Sequence, residues 1–192
     1  DVDQSGVSHL EEYDYKHNPT RNKFHVDIGF RDVSAFRLTS ELATELSDEA
    51  LISFTPFYRR NETKMMPSWM VTYDPNINQT RFQSFGLLSK YRYNLDQGEL
   101  ITGVDLDHTV SDYQEKQIKV TKQGDIYTDY QETGRTHYDY DADQTSISPY
   151  VHGEWLPAND WRLIAGLRYD YFKLDYQDNL NSGVSESIGR ST

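Results

Sequence analysis

The chain contains no cysteine. A disulfide framework, a thiolate nucleophile and a cysteine-bound zinc are therefore closed to it. It has no apolar run of the roughly 18 residues that a membrane-crossing helix requires. Basic side chains are scarce: 19 Lys and Arg stand against 31 Asp and Glu, for a net charge of −12. Nucleic acid is not expected as a partner, because phosphate binding needs clustered Lys and Arg. Catalytic signatures are missing too. There is no Gly-x-Ser-x-Gly elbow, no His-Glu-x-x-His and no phosphate-binding glycine loop. The chain does not read as an enzyme, and no cofactor is expected.

Aromatic residues are abundant: 15 Tyr, 8 Phe and 3 Trp. They fall in an alternating pattern. In Trp161-Arg-Leu-Ile-Ala-Gly-Leu-Arg-Tyr-Asp-Tyr171, the odd positions are Trp161, Leu163, Ala165, Leu167, Tyr169 and Tyr171. Arg162, Arg168 and Asp170 take the even ones. Side chains in a strand alternate faces, so one face is apolar and the other polar. Ring side chains sit at both ends of the apolar face, as in a strand that crosses a bilayer within a barrel. The mean hydropathy of −0.81 does not oppose this, because such strands are greasy on one face only.

Three strand pairs carry the pattern. Phe24, Val26, Ile28, Phe30, Phe36, Leu38, Leu42 and Leu46 share even positions. A turn at Ser47–Leu51 follows, then Ile52, Phe54, Pro56 and Tyr58. A five-residue turn would set Leu46 opposite Ile52. Phe85, Leu87, Tyr91 and Tyr93 lead through Asn94–Gly98 to Leu100, Thr102, Val104, Leu106 and Val110. The third pair, Ile147–Trp155 and Trp161–Tyr171, turns through Pro157-Ala-Asn-Asp160. That turn would set Trp155 against Trp161 and place Leu163 near the bilayer midplane. Connections alternate short and long, with long loops expected at 60–80 and 111–145 and a polar tail after Tyr171. Short periplasmic turns and long extracellular loops are a barrel trait.

The fold expected is therefore all-β: an antiparallel meander of about six long strands, part of a transmembrane β-barrel. Six strands cannot close a barrel, since the smallest have about eight. Residues 1–192, opening on Asp1 and closing in the polar stretch Asn181–Thr192, read as one partial barrel domain of a longer chain. A soluble β-sandwich satisfies the alternation as well. That rival would bind carbohydrate or calcium through Tyr/Asp-rich loops.

Candidate sites lie mostly in the expected long loops. Met65, Met66, Trp69, Tyr73, Tyr113, Tyr127, Tyr130 and Tyr138 offer rings and thioethers to a flat ligand. Arg59, Arg60 and Lys64 would offset a chelate's negative charge. Asp1, Asp3, Ser5, Gly6 and Glu12 match the spacing of a calcium loop. His137, Asp139, Asp141 and Asp143 alternate onto one face that could hold a hard cation, although a solvated acidic loop is the plainer account. Arg37, Glu41, Glu45, Lys90, Arg92, Asp105, Asp107, Arg162, Arg168 and Asp170 are expected to pair inside a hydrated lumen.

The arms Ser148-Pro-Tyr-Val-His-Gly-Glu-Trp155 and Trp161-Arg-Leu-Ile-Ala-Gly-Leu-Arg-Tyr-Asp170 resemble those of TonB-dependent outer-membrane receptors. So do Pro67-Ser-Trp-Met-Val-Thr-Tyr-Asp-Pro75 and Gly103-Val-Asp-Leu-Asp107. The likeness runs from about Phe24 to Tyr176. It implies a bacterial outer-membrane barrel of about 22 strands with a plugged lumen. It further implies an extracellular vestibule for a ferric siderophore or similar scarce ligand. Energy would come from the TonB complex acting on a plug domain that this stretch does not contain.

Overall fold

The computed structural model describes every residue except Val26, Asn159 and Ser182. The apolar position assigned to Val26 and the centre of the Pro157–Asp160 turn thus lie outside the described residues. Among the described residues, the strands are β1 (Val2–Gln4), β2 (Arg31–Thr39), β3 (Leu42–Glu45), β4 (Ala50–Met65) and β5 (Asn76–Leu95). They continue as β6 (Gly98–Gln123), β7 (Ile126–Ala158), β8 (Trp161–Arg168), β9 (Tyr171–Asp178) and β10 (Ser185–Ser191). One short helix, α1 (Glu12–His17), precedes β2. All ten strands belong to one sheet in the order β1-β2-β4-β5-β6-β7-β9-β10, with β3 also on β4 and β8 also on β7. Every strand pairing is antiparallel.

The six strands expected are present, because β2 with β3 and β8 with β9 are each one strand interrupted; β10 adds a seventh beside β9, and the short β1 flanks β2 at the other edge. Thr39 pairs with Phe57 and Leu42 with Phe54, so the register runs unbroken past Pro56. Tyr150 pairs with Arg168 and Ile147 with Tyr171, so it runs unbroken past Pro149. Proline has no N–H to give back to the ladder. Both prolines accept instead, from Ser40 N–H at 3.2 Å and Tyr169 N–H at 3.0 Å.

Among the described residues, no second layer covers the apolar face. The apolar set stays open: Leu42 is 63% exposed, Leu163 47%, Leu167 72% and Val104 38%. A sandwich would bury these side chains between two sheets, so the soluble rival is excluded. Pairing registers keep the set on one face across the wall. Ile52 lies opposite Tyr91, Tyr91 opposite Thr102, Thr102 opposite Val151 and Val151 opposite Leu167.

Several local expectations are corrected. The first turn is tighter than expected: Leu46 N–H bonds to Ala50 O at 2.8 Å, and Ile52 pairs with Thr44. The shift is even, so the apolar face survives. Trp155 pairs with Leu163 and Trp161 with Ala158, with an irregularity between them. Leu163 therefore sits beside the turn, not at the midplane. The tail is not unpaired, because β9 continues on β7 and β10 pairs with β9.

The largest correction concerns 111–145. This is no loop but the upper part of the β6–β7 hairpin, closed by Gly124-Asp125, with Gln123 paired to Ile126. Gly124 supplies the positive φ of 62° that so tight a turn demands. At about 3.3 Å per residue, the 33 residues of β7 span roughly 110 Å. Likewise β4 runs to Met65 and β5 starts at Asn76, so only 66–75 remains as loop.

At that far end a small core forms from Phe24, Ile28, Met66, Val71, Ile77, Ile118 and Tyr127. Phe24 and Ile28 thus leave the expected strand, which begins only at Arg31. The calcium loop is also corrected. Val2–Gln4 is extended and pairs with Arg31–Val33, while Glu12 joins α1 and bonds to Lys16. Gly6 serves backbone packing: a Cβ there would lie 2.2 Å from the carbonyl oxygen of Gly29.

Candidate functional site

Two zones lie along the polar face of the wall. Nearer the short turns, charges pair. Arg59 donates to Asp107 at 2.9 Å, Arg168 to Asp105 at 2.7 Å and Arg162 to Glu154 at 2.6 Å. Arg168 also reaches Asp170 at 2.8 Å, and Arg92 stands 3.9 Å from Glu99. The expected lumen pairing thus holds for six of the ten residues named: Arg92, Asp105, Asp107, Arg162, Arg168 and Asp170. Lys90 shares a face with Arg92 and no more. For Arg37 the bond seen is to Thr39, at 3.3 Å.

Further along the same face, the charges give way to rings. Tyr113 lies opposite Tyr140 in the register, and their centroids are 5.2 Å apart. Tyr140 is 5.2 Å from Tyr176 on the next strand. Three tyrosines from β6, β7 and β9 therefore make one aromatic ladder. Phe82 on β5 lies on the same face, opposite Ser111 and within 6.0 Å of the Arg59 guanidinium. Glu115 anchors one end of the ladder. It accepts from Tyr113 OH at 2.8 Å and from Asn76 Nδ2 at 3.3 Å, with His137 Nδ1 at 3.2 Å. Burial, then the bond to Glu115, holds the Tyr113 phenol well above its usual range. Burial raises Tyr140 as well. Both are neutral hydroxyls at neutral pH, suited to aromatic contact and hydrogen bonding.

The structure redistributes the expected binding residues. Tyr113 joins the ladder. Trp69 and Tyr73 are exposed in the 66–75 loop at 63% and 69%. Tyr73 OH bonds to Met70 Sδ at 2.8 Å, and Met65 is half-buried at the end of β4. Met66 and Tyr127, at 1% and 5% exposed, are spent on the small core, and Tyr130 packs against it. Arg60 and Lys64 fall on the opposite face, in phase with Tyr58, so they cannot offset charge in the lumen. Tyr140 and Tyr176 were not anticipated. Their signal was available only through register, since nothing local marks them apart from other tyrosines.

The His137–Asp143 group does not converge. His137 turns to Glu115. Asp139 and Asp141 accept from Asn179 at 3.1 and 3.0 Å, and Asp143 lies 3.4 Å from His108. Among the described residues, no three His, Asp or Glu side chains gather around a point where a cation could sit.

A family model described as "TonB dependent receptor-like, beta-barrel" matches residues 3–191. The chain belongs to this family. No curated protein matches its sequence. The ferric citrate transporter FecA, in its unliganded form, superposes with a TM-score of 0.73 at 10% identity. That match covers 98% of this chain and 27% of FecA. The copper transporter OprC superposes with a TM-score of 0.52 at 18% identity, covering 85% of this chain and 26% of that one. These likenesses show the fold, and the chain spans about a quarter of either protein's length.

TonB-dependent receptor barrels reside in the bacterial outer membrane and are transporters, not enzymes. Membership assigns the two faces: the apolar one meets lipid and the polar one meets the lumen. The short turns are periplasmic, and the long hairpins with the small core are extracellular. From Ala50 to Tyr58 is nine residues, close to the 9–11 tilted residues that cross the hydrocarbon. The tyrosine ladder thus stands above the membrane, at the extracellular mouth of the lumen.

Proposed function

We propose that this wall forms part of the ligand vestibule of a receptor that takes up a ferric siderophore or similar scarce chelate. The observation that carries the reading is the ladder Tyr113–Tyr140–Tyr176, three rings on three strands facing the lumen beyond the bilayer. Neighbouring uncharged phenols, tilted 30° and 43° to one another, present an apolar surface edged with hydroxyls, which suits an aromatic or conjugated ligand. Exposed Trp69 and Tyr73 extend that surface at the loop. Release into the periplasm would be driven by the TonB complex through a plug domain supplied elsewhere in the protein. The lumen pairs Arg59–Asp107 and Arg168–Asp105 leave a hydrated wall against which such a plug could rest.

The test uses the full-length receptor. Tyr140→Ala should weaken binding of a ferric catecholate roughly tenfold, since stacking of one ring is worth about 0.5–1.5 kcal/mol beyond its buried area. Trp69→Ala should weaken it less. Ligand-quenched fluorescence gives the affinity and uptake of labelled iron gives the flux. Unchanged affinity in both variants would remove this wall from the vestibule.

A further inference from the structure

Two rings of the tyrosine ladder each have a carboxylate as their cross-strand neighbour on the lumen face. Tyr140 lies opposite Asp178, and Tyr176 lies opposite Glu186. Directly opposed residues of an antiparallel pair share a face, with Cβ atoms about 5 Å apart. Asp178 also stands two residues beyond Tyr176 on β9, on that same face. The four side chains therefore form one patch: two rings 5.2 Å apart with an acid beyond each. In the row Phe82–Ser111–Ala142–Tyr176, the two middle residues are small and leave room beside the ring.

Positive charge is kept away from this patch. Arg59 stands one row lower and is bonded to Asp107 at 2.9 Å. Arg190, opposite Phe172, is two rows lower. Arg135 lies at the far end of the ladder, in the recess beside Glu115. Arg60, Lys64, Arg81 and Lys173 project from the other face. Glu186 is exposed. Hydrogen bonds from the Asn181 side chain and the Leu180 N–H hold the Asp178 carboxyl below its usual range, so it is ionised. An aromatic face attracts a cation through the ring quadrupole, and a carboxylate alongside adds to that attraction. Among the described residues, no three acidic or His groups converge on a point where a metal ion could sit. The fitting partner is an organic cation that rests on rings. The geometry points to a ligand that carries a protonated amine on an arm beside its aromatic chelating core, with the ammonium on Tyr140 and Tyr176 between Asp178 and Glu186. The assignment rests on the vestibule reading and adds one group to its ligand.

The test uses the full-length receptor and two probes. One is a ferric tris-catecholate on a tripodal scaffold with one primary-amine arm. The other is the same chelate with that amine acetylated. Ligand-quenched fluorescence gives both affinities. Wild type should bind the amine form about tenfold more tightly, the scale of one cation on partly desolvated rings. Glu186→Gln should bring that preference to about threefold or less, with the acetylated form bound no more weakly than by wild type. Adding Asp178→Asn, which keeps an oxygen for the Leu180 and Asn181 donors, should erase it. Tyr140→Ala should weaken both forms. Equal wild-type affinity for the two forms, or a loss in Glu186→Gln shared equally by both, would overturn the ammonium assignment alone, provided that Tyr140→Ala still weakens both. Both forms bound by Tyr140→Ala as tightly as by wild type would overturn the vestibule reading and the ammonium assignment with it.

Discussion

An arginine at Val104 should destabilise the receptor by about 2–4 kcal/mol, the cost of that side chain facing lipid near the bilayer midplane. Val104 lies opposite Pro149, six residues above the Gly98 turn, and is 38% exposed in the isolated wall. No second layer of described residues lies over its outward side, so the change measures mainly transfer into hydrocarbon. The same substitution at Leu100, one row from the turn and level with Tyr93, should cost about 0–1 kcal/mol, because the guanidinium can reach the interface. Val110→Arg, beside Asp112 and opposite Asp143, stands at the outer boundary and should also cost about 0–1 kcal/mol. Leu163→Arg belongs with these rim positions, given its pairing with Trp155 beside the turn. Guanidinium unfolding of the full-length receptor in phospholipid vesicles gives the four free energies. Equal costs at Leu100, Val104 and Val110 would show that no depth gradient acts on this face, and the lipid assignment would fail.

Other consequences follow from single contacts. A side chain at Gly103 has no room: a Cβ would lie 2.0 Å from Ser89 O and 2.7 Å from Tyr150 Oη. Gly103→Val should cost about 1–3 kcal/mol by overpacking, read in the same unfolding assay; a neutral result would contradict the Tyr150-over-glycine packing. Arg21 bonds Asp14 at 2.9 and 3.1 Å and Asp125 at 3.1 Å, latching the N-terminal segment onto the β6–β7 turn. That bond holds the Asp14 carboxyl below its usual 3.8. The latch is therefore fully made above that pH and is lost as pH falls through the lowered value. Hydroxyl-radical footprinting of buried Tyr127 should show protection at pH 5 and its loss only below about 3.8. Protection lost already at pH 5 would count against the latch.

Much of the wall was legible because one face meets lipid. Where Leu100 to Leu106 or Trp161 to Leu167 alternates against charge, period, face and turn could all be read. Above the membrane both faces are wet, so that contrast vanishes. Gln114 to Thr136 is polar on either side and looked like loop, although Ile118, Val120, Ile126 and Tyr127 carry β-favouring shapes. Phe24 and Ile28 kept the strand's phase by coincidence, their apolar character serving the small core instead. The ladder depended on register: Tyr113 meets Tyr140 only because a 26-residue strand returns through a two-residue turn. Arg60 was placed on the ligand side because it lay near the right loop, yet its even parity with Tyr58 already fixed it outward.

The side of the wall that touches acyl chains can be read directly. The wall has no cysteine, so single cysteines can carry a nitroxide at Leu42, Val104 and Leu167 on one face and at Ile101 and Ser146 on the other. In the full-length receptor in vesicles, the first three should relax with dissolved oxygen and ignore a water-soluble nickel chelate. The last two should respond to the chelate. Labels at Leu42, Val104 and Leu167 that are shielded from both reagents, or that respond to nickel, would contradict the account.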